Sequence, residues 1–195
     1  MNIIIPSCKP LPELQELQFK IYNSATGDYE LNVISGEGKS ASQNRNSGLD
    51  KCNSGCVIMV DDDMTDFEPG WNQKLVSYLD KHEKLGIVSA RLMNSDGSIA
   101  YMCSRNKNVQ DELVIVGRVP TACIAFKNIG IRFDEGFIGS GFEDTDFCNQ
   151  YRAGGFQCAI TNTVKVVHLH EMKNQKGAYW SHNKQYYEKK WGKYT

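Results

Sequence analysis

Three adjacent carboxylates, Asp61-Asp62-Asp63, directly follow an apolar run at 57–60 and give the strongest chemical signal in the sequence. Adjacent carboxylates repel one another, so such a cluster is hard to keep ionised without a cation. If the segment is extended, Asp61 and Asp63 face the same way, and carboxylates suit Mg²⁺ or Mn²⁺, which bind diphosphate oxygens. The pattern fits a metal site that binds a diphosphate, and it also fits a solvated acidic turn.

A second acidic cluster, Glu143-Asp144-x-Asp146, follows Asp134-Glu135, and no Lys or Arg occurs between Phe133 and Tyr151. Acids at the start of a predicted helix can serve as caps and compensate the helix dipole. Capping explains one acid well and three poorly. The cluster therefore also fits a general base that removes a proton from a hydroxyl.

Two further signals use basic side chains. His168 and His170 end a predicted strand, and their spacing of two places both imidazoles on one face. One of them could be a metal ligand, or the two could be a hydrogen-bonded structural pair. Arg45 lies on a predicted helix just before the Asp cluster, where it fits either a contact to phosphates or an ordinary surface arginine.

Short apolar runs alternate with helical segments in the first ninety residues. The predicted strands are 2–5, 29–35, 57–60 and 86–89, and the predicted helices begin at Pro12 or span 40–54 and 71–82. This alternation predicts an α/β fold with a mostly parallel sheet and right-handed crossovers. Ligands bind such sheets at the carboxyl ends of the strands, which is where the Asp cluster stands.

The second half changes pattern and predicts a small antiparallel element. The predicted features are a hairpin at 95–98, strands within 113–126, a helix over 143–153, strands 156–160 and 164–169, and a terminal helix over 178–191. That last helix is rich in Tyr, Trp and Lys. Its aromatic side chains either pack on the core, with the lysines solvated, or form a surface for sugars, phosphates or nucleic acid.

Composition limits the class of protein. The 195 residues are 41% hydrophobic with a formal net charge of −1, typical of one soluble domain without general attraction to nucleic acid or anionic membranes. The sequence has no apolar run long enough for a transmembrane helix and no signal-peptide pattern at its start. Seven scattered cysteines favour reduced thiols, so the predicted location is the cytoplasm.

Taken in order, these segments resemble the family 2 glycosyltransferases, which have a GT-A fold: a Rossmann-like, mostly parallel central sheet flanked by helices. The likeness covers nearly the whole chain and depends on the order of its motifs. They are Ile3-Ile4-Ile5-Pro6, Ser42-x-x-Arg45-Asn46-x-Gly48-Leu49, Val60-Asp61-Asp62-Asp63, Pro69-Gly70-Trp71, Phe133-Asp134-Glu135-Gly136-Phe137, Gly141-Phe142-Glu143-Asp144-x-Asp146-x-Cys148, Gly154-Gly155-Phe156, Val167-His168 and Asn183-x-x-x-Tyr187-x-x-Lys190-Trp191-Gly192.

The resemblance implies a role for each candidate residue. Asp144 would be the catalytic base, with Glu143 as its orienting partner or substitute. Asp63 would bind the metal together with Asp61, and His168 or, as runner-up, His170 would complete the metal site. The residues implied in donor binding are Pro6, Ser35, Glu37, Arg45, Asp61 and Asp62. Glu37 would stand in for an acid that many relatives carry directly after the second strand.

The implied activity is inverting, metal-dependent transfer of a sugar from a nucleotide-diphosphate donor to an acceptor hydroxyl. Mn²⁺ or Mg²⁺ would be the cofactor, a UDP-sugar the donor, and a glycan, lipid-linked sugar, protein or modified nucleic acid the acceptor. Residues 1–92 would bind the nucleotide sugar, 93–170 would form the catalytic half, and 171–195 a basic aromatic tail. The alternatives are a non-catalytic nucleotide-sugar-binding protein, a nucleotidyltransferase or metal phosphohydrolase, and a small nucleic-acid binder.

Overall fold

The computed structural model describes residues 1–53, 55–100, 111–169 and 178–194. The strands are β1 (Asn2–Ser7), β2 (Glu30–Ser35), β3 (Gly55–Val60), β4 (Met64–Thr65), β5 (Leu85–Met93), β6 (Leu113–Val116), β7 (Cys123–Asn128) and β8 (Gln157–His168). The α-helices are α1 (Gln15–Ser24), α2 (Ala41–Leu49), α3 (Trp71–Lys81), α4 (Glu143–Ala153) and α5 (Trp180–Trp191), and a 3₁₀ turn at Leu11–Leu14 precedes α1.

The described strands form a single sheet in the order β2-β1-β3-β7-β5-β8-β4, with β6 paired to β8. β1 is parallel to β2 and β3, and β5 is parallel to β8, while β7 runs antiparallel between β3 and β5. Strands β1, β2, β3, β5 and β8 therefore point the same way, which confirms the predicted α/β fold. The antiparallel element in the second half is also confirmed, because β6 pairs antiparallel with β8.

Burial on both faces explains why the central strands are apolar throughout. Every residue of β1 is buried, and so are the last four residues of β3. Helix α2 approaches β1 closely at Gly48, where an added Cβ would lie 2.4 Å from a methyl group of Ile4. Glycine at this position therefore allows the close approach that brings α2, and with it Arg45, against the sheet.

The register of the sheet brings distant segments to one edge. Ser7 at the end of β1 pairs with Ser35 at the end of β2, and β3 ends just before Asp61. On the far side, Met64 of β4 pairs with His168 of β8. This two-residue strand was not predicted, yet it places the end of β8 directly beside the Asp cluster.

Two boundaries differ from the sequence prediction. The separate strands expected at 156–160 and 164–169 are one strand, β8, whose register with β5 shifts between Ser89 and Arg91. The polar residues 161–163 form this irregular stretch, and their polarity made one strand resemble two. The helix expected over 40–54 ends at Leu49. The hairpin at 95–98 is confirmed by an antiparallel bridge between Met93 and Ile99.

The C-terminal helix α5 packs its aromatic face on the protein, as the first of the two alternatives predicted. Phe137, Phe142 and Tyr187 form a small buried cluster, against which Trp180 and Tyr186 also pack. The cysteines within the described residues are all free, as expected. None of the described helices has the length and apolar character needed to cross a membrane.

Candidate active site

The Asp cluster follows β3 in a turn that includes Asp62 and Asp63, so the extended conformation assumed from the sequence does not occur there. Asp61 accepts from Nη2 of Arg45 at 3.2 Å, whereas Asp63 lies 3.2 Å from Nε2 of His168. The carboxylates of Asp61 and Asp63 remain close enough for their negative charges to repel each other. Burial raises the pKa of Asp61 most, the Arg45 charge opposes this, and the Asp63 charge raises it further.

Asp62 points back towards the end of β1. It accepts a hydrogen bond from the Ser7 hydroxyl and pairs with Nζ of Lys9 at 3.0 Å. The carbonyl of Lys9 in turn accepts from the Ser35 hydroxyl at 3.0 Å. Two predicted donor-binding residues, Asp62 and Ser35, are thus joined by Lys9, which sequence reasoning missed although it lies two residues beyond β1.

Two more of the predicted donor-binding residues, Pro6 and Glu37, lie near the ends of the same two strands, β1 and β2. Pro6 is buried within β1 and pairs with Ile34 of β2. Glu37 is exposed in the turn that follows β2. The structure therefore places Glu37 at the correct edge of the sheet, and its role in donor binding stays a prediction.

Asp63 and His168 form the strongest candidate for a metal-binding pair. The backbone also joins them, since the Leu169 N–H donates to the carbonyl oxygen of Asp63 at 2.9 Å. His168 is buried. Burial by itself would lower the pKa of His168, but the hydrogen bond and charge of Asp63 outweigh it and the net shift is upward.

The geometry of this pair is compatible with a shared divalent ion. Ligands about 2.1 Å from an octahedral ion lie about 3 Å apart when adjacent, and the two observed ligand atoms are 3.2 Å apart. The imidazole favours Mn²⁺ over the harder Mg²⁺. Among the described residues, no group of three or more acidic, His or Cys side chains is arranged around a metal position. His170, the runner-up ligand, lies outside the described residues.

Arg45 joins the Asp cluster to the second acidic cluster. Its guanidinium is buried and donates to Glu143 at 2.9 Å as well as to Asp61. The alternative of a surface arginine is therefore wrong. The observed partners of Arg45 are carboxylates, and its direct contact with donor phosphates stays a prediction.

Glu143 and Asp144, the first two residues of α4, have different environments. Glu143 is buried, pairs with Arg45 and accepts a hydrogen bond from the Gly141 N–H. Asp144 is half-buried and accepts from the backbone and hydroxyl of Thr145, at 2.6 and 3.2 Å. Burial and then the Glu143 charge raise the pKa of Asp144 to about 6. This carboxylate is ionised at neutral pH with a pKa well suited to a general base.

Asp146, the third acid of this cluster, is a structural anchor. It is fully buried, pairs with Nζ of Lys190 at 2.7 Å and accepts from the indole N–H of Trp191 at 2.6 Å. No acidic side chain caps α4, because its N-cap is Phe142 without a side-chain cap bond. Phe142 has φ +74°, a left-handed conformation that is strained for a non-glycine residue and is common at functional sites.

The loop before α4 is held by a residue to which sequence reasoning gave no separate role. Asn183 of α5 donates to the carbonyl oxygens of Ile138, Ser140 and Gly141 at 2.9, 3.3 and 3.0 Å, and accepts from the Ile138 N–H at 3.0 Å. Its place in the C-terminal motif was the available signal, but the motif alone does not reveal which backbone groups it contacts.

The solved structures with a similar fold include two that contain a nucleotide and Mn²⁺. The crystal structure of GalNAc-T7 with UDP, GalNAc and Mn²⁺ has a TM-score of 0.66 and 11% identity, covering 91% of this chain and 45% of that chain. Mannosyltransferase PcManGT from Pyrobaculum calidifontis, in complex with GDP-Man and Mn²⁺, has a TM-score of 0.64 and 16% identity, covering 88% and 57%. This chain thus spans about half the length of either structure, and such identities establish the fold, GT-A, alone.

Sequence comparison supplies the family. No curated protein sequence is a significant match to the chain. The family model described as glycosyl transferase family 2 matches residues 12–137, well over half of the chain. The matched segment contains Arg45 and the whole Asp cluster, and it ends just before the loop that leads to Asp144. The chain therefore belongs to glycosyl transferase family 2.

Proposed function

We propose that this chain is an inverting, metal-dependent glycosyltransferase domain that transfers a sugar from a nucleotide-diphosphate donor, a UDP-sugar, to an acceptor hydroxyl. The observation that carries this proposal is the 3.2 Å contact between Asp63 and His168. This contact joins the end of β8 to the Asp cluster. Residues 1–92 would then bind the nucleotide sugar and 93–170 would supply the base.

The placement of Asp144 supports the proposal that residues 93–170 supply the catalytic base. Arg45 contacts both Asp61 and Glu143, so the Asp cluster and the start of α4 lie on either side of one guanidinium. An acceptor positioned between them would meet a carboxylate that is ionised above about pH 6. Asp144 would remove the proton of the acceptor hydroxyl while that oxygen attacks the anomeric carbon.

The stereochemical outcome follows from a single displacement. The acceptor oxygen forms its bond to the anomeric carbon on the face opposite the diphosphate, as the bond from carbon to diphosphate oxygen breaks. One displacement inverts the anomeric centre. Asp63 and His168 would hold the divalent ion, which when bound neutralises charge on the leaving diphosphate. The nucleoside would lie at the ends of β1 and β2, beside the ion pair of Lys9 and Asp62.

Ligand-linked thermal stabilisation tests both donor and metal. We expect the melting temperature to rise with a nucleotide-diphosphate sugar and Mn²⁺ together, because a ligand that binds only the folded state stabilises it. UDP- and GDP-sugars should be compared, and productive donors then tested for release of a nucleoside diphosphate. Release of a sugar 1-phosphate instead, or of pyrophosphate when a nucleoside triphosphate and a sugar phosphate are supplied, would identify a nucleotidyltransferase.

His168→Ala isolates the metal component of that response. The variant should lose the Mn²⁺-dependent part of the stabilisation, while a matched variant at the exposed His182, His182→Ala, should retain it. An identical Mn²⁺ response in His168→Ala and the wild type would remove His168 from the metal site. Absence of stabilisation by any donor, together with absence of transfer, would overturn the proposed activity.

A further inference from the structure

The loop formed by residues 138–141 enters α4 through two positive backbone angles. Gly141 has φ +107° and Phe142 has φ +74°. Glycine adopts a positive φ readily, but the conformation of Phe142 is strained and persists only where the surrounding contacts determine it strongly. The loop precedes Asp144 directly, so its conformation sets where the first turn of α4 begins and where the carboxylate of Asp144 points.

The side chains of two residues hold this loop. Glu143 accepts from the Gly141 N–H, and Asn183 contacts three carbonyl oxygens and one N–H of the loop. Asn183 has no exposed surface. Its amide is bonded on both its nitrogen and its oxygen, so all of its hydrogen-bonding capacity is directed to one short segment of backbone.

The helix that carries Asn183 is anchored independently of the loop. The Tyr187 hydroxyl accepts from Nδ2 of Asn149 at 2.6 Å, and Lys190 pairs with Asp134 and Asp146 at 2.7 Å each. These contacts attach α5 to α4 and to the segment before the loop. Asn183 is thus presented from a fixed element, which is the requirement for a side chain that imposes geometry on another segment.

We propose that Asn183 is a positioning residue for sugar transfer, because its four hydrogen bonds fix the 138–141 loop and thereby the direction of the Asp144 carboxylate. The inference rests on the proposed function, in which Asp144 is the base. It assigns to α5 a role in the chemical step, beyond packing aromatic side chains on the core. The residues proposed to bind the donor at the ends of β1 to β3 make no contact with the Asn183 side chain, whose partners among the described residues all lie in the loop.

The test is Asn183→Asp in the full chain. The substitution keeps the size of the side chain and one acceptor, but it replaces the amide donor by a carboxylate facing three carbonyl oxygens. Displacement of a reacting group by about 1 Å can reduce the rate about a hundredfold. We therefore expect kcat to fall by about that factor, with the KM for the donor near its wild-type value.

Tyr187→Phe is the matched control on the same helix. It removes the hydroxyl that Asn149 contacts, but the buried ring and the two ion pairs of Lys190 still anchor α5 and the loop contacts of Asn183 remain, so kcat should stay near that of the wild type. Asn183→Ser supplies a second variant if the buried carboxylate prevents folding. It removes the loop contacts without placing a negative charge against the carbonyl oxygens, so kcat should fall less than in Asn183→Asp, again at unchanged donor KM.

The possible outcomes separate the two proposals. If the wild type transfers sugar and a folded Asn183 variant keeps the wild-type kcat, the positioning role is wrong while the activity stands. The role is equally wrong if kcat falls in Asn183→Asp and Tyr187→Phe alike, in proportion to their loss of stability, or if only the donor KM rises. If the wild type neither binds a donor nor transfers sugar, the proposed function fails and this inference fails with it.

Discussion

The Asp cluster at 61–63 and the second acidic cluster look alike in sequence but have different partners in the fold. The second cluster consists of Glu143, Asp144 and Asp146 in the first turn of α4 and is called the α4 cluster. In the Asp cluster, every carboxylate contacts a side chain that can carry positive charge: Arg45, Lys9 or His168. In the α4 cluster, Glu143 and Asp146 have cationic partners. Among the described residues, Asp144 forms no ion pair and hydrogen-bonds only to its neighbour Thr145.

Under the proposed function, this difference separates the acids that bind the donor or hold the fold from the acid that accepts a proton. A cationic partner favours the ionised form of a carboxylate, as Arg45 does for Asp61 against the burial that raises its pKa, and an ionised carboxylate can hold a metal ion or a fixed backbone. A carboxylate surrounded by protein without such a partner has a raised pKa and can accept a proton. Clustering in the sequence therefore identifies the region, but the partners supplied by distant elements decide which acid does the chemistry.

The largest expected effect comes from Asp144→Asn compared with Asp146→Asn. Removing a general base reduces the rate by about 10² to 10⁴, so kcat of Asp144→Asn should collapse while donor-linked stabilisation persists. Asp146→Asn changes the same side chain two residues away, but it weakens the anchor to Lys190. We expect it to lower the free energy of unfolding by about 1–3 kcal/mol, measured by urea denaturation, with most of kcat retained.

The opposite result for these two variants would contradict the distinction between acids with and without a cationic partner. If Asp144→Asn kept its rate, the carboxylate without a cationic partner would not be the base. If Asp146→Asn lost as much rate as Asp144→Asn at a temperature where both are folded, the two acids would act together in chemistry, and the distinction drawn from their partners would be wrong.

The next largest effect is on the free energy of unfolding, and it concerns Arg45, which contacts both clusters. Arg45→Met would leave the buried Glu143 carboxylate without its cation, which typically costs about 3–5 kcal/mol. Neutralising the partner as well, in Arg45→Met/Glu143→Gln, should restore much of that loss, because the uncompensated charge is then absent. Urea denaturation of the single and double variants measures the coupling. A double variant as unstable as the sum of the single variants would show that the two side chains act independently.

Sequence patterns predicted much of the fold but few of the contacts between elements. The α4 limits at Glu143 and Ala153 were predicted correctly, since Gly154-Gly155 marks the end and the acids mark the beginning. The contact of Asp63 with His168 depends on strand β4, whose two residues are too few to show periodicity. Asn183 was unassigned for a related reason: its partners are backbone groups, which every residue has, so no pattern in the sequence distinguishes them.

The smallest expected effect is a shift of the pH profile. With the pKa of Asp144 raised to about 6 by burial and by the Glu143 charge, kcat/KM should fall as the pH decreases through about 6, because the base becomes protonated. Glu143→Gln removes the neighbouring negative charge and leaves the Arg45 charge, which lowers the pKa of Asp144. The acidic limb should therefore move to lower pH. Glu112→Gln, at an exposed acid, should leave the limb in place. If the acidic limb of Glu143→Gln stays at the wild-type pH or moves to higher pH, a group other than Asp144 controls the profile.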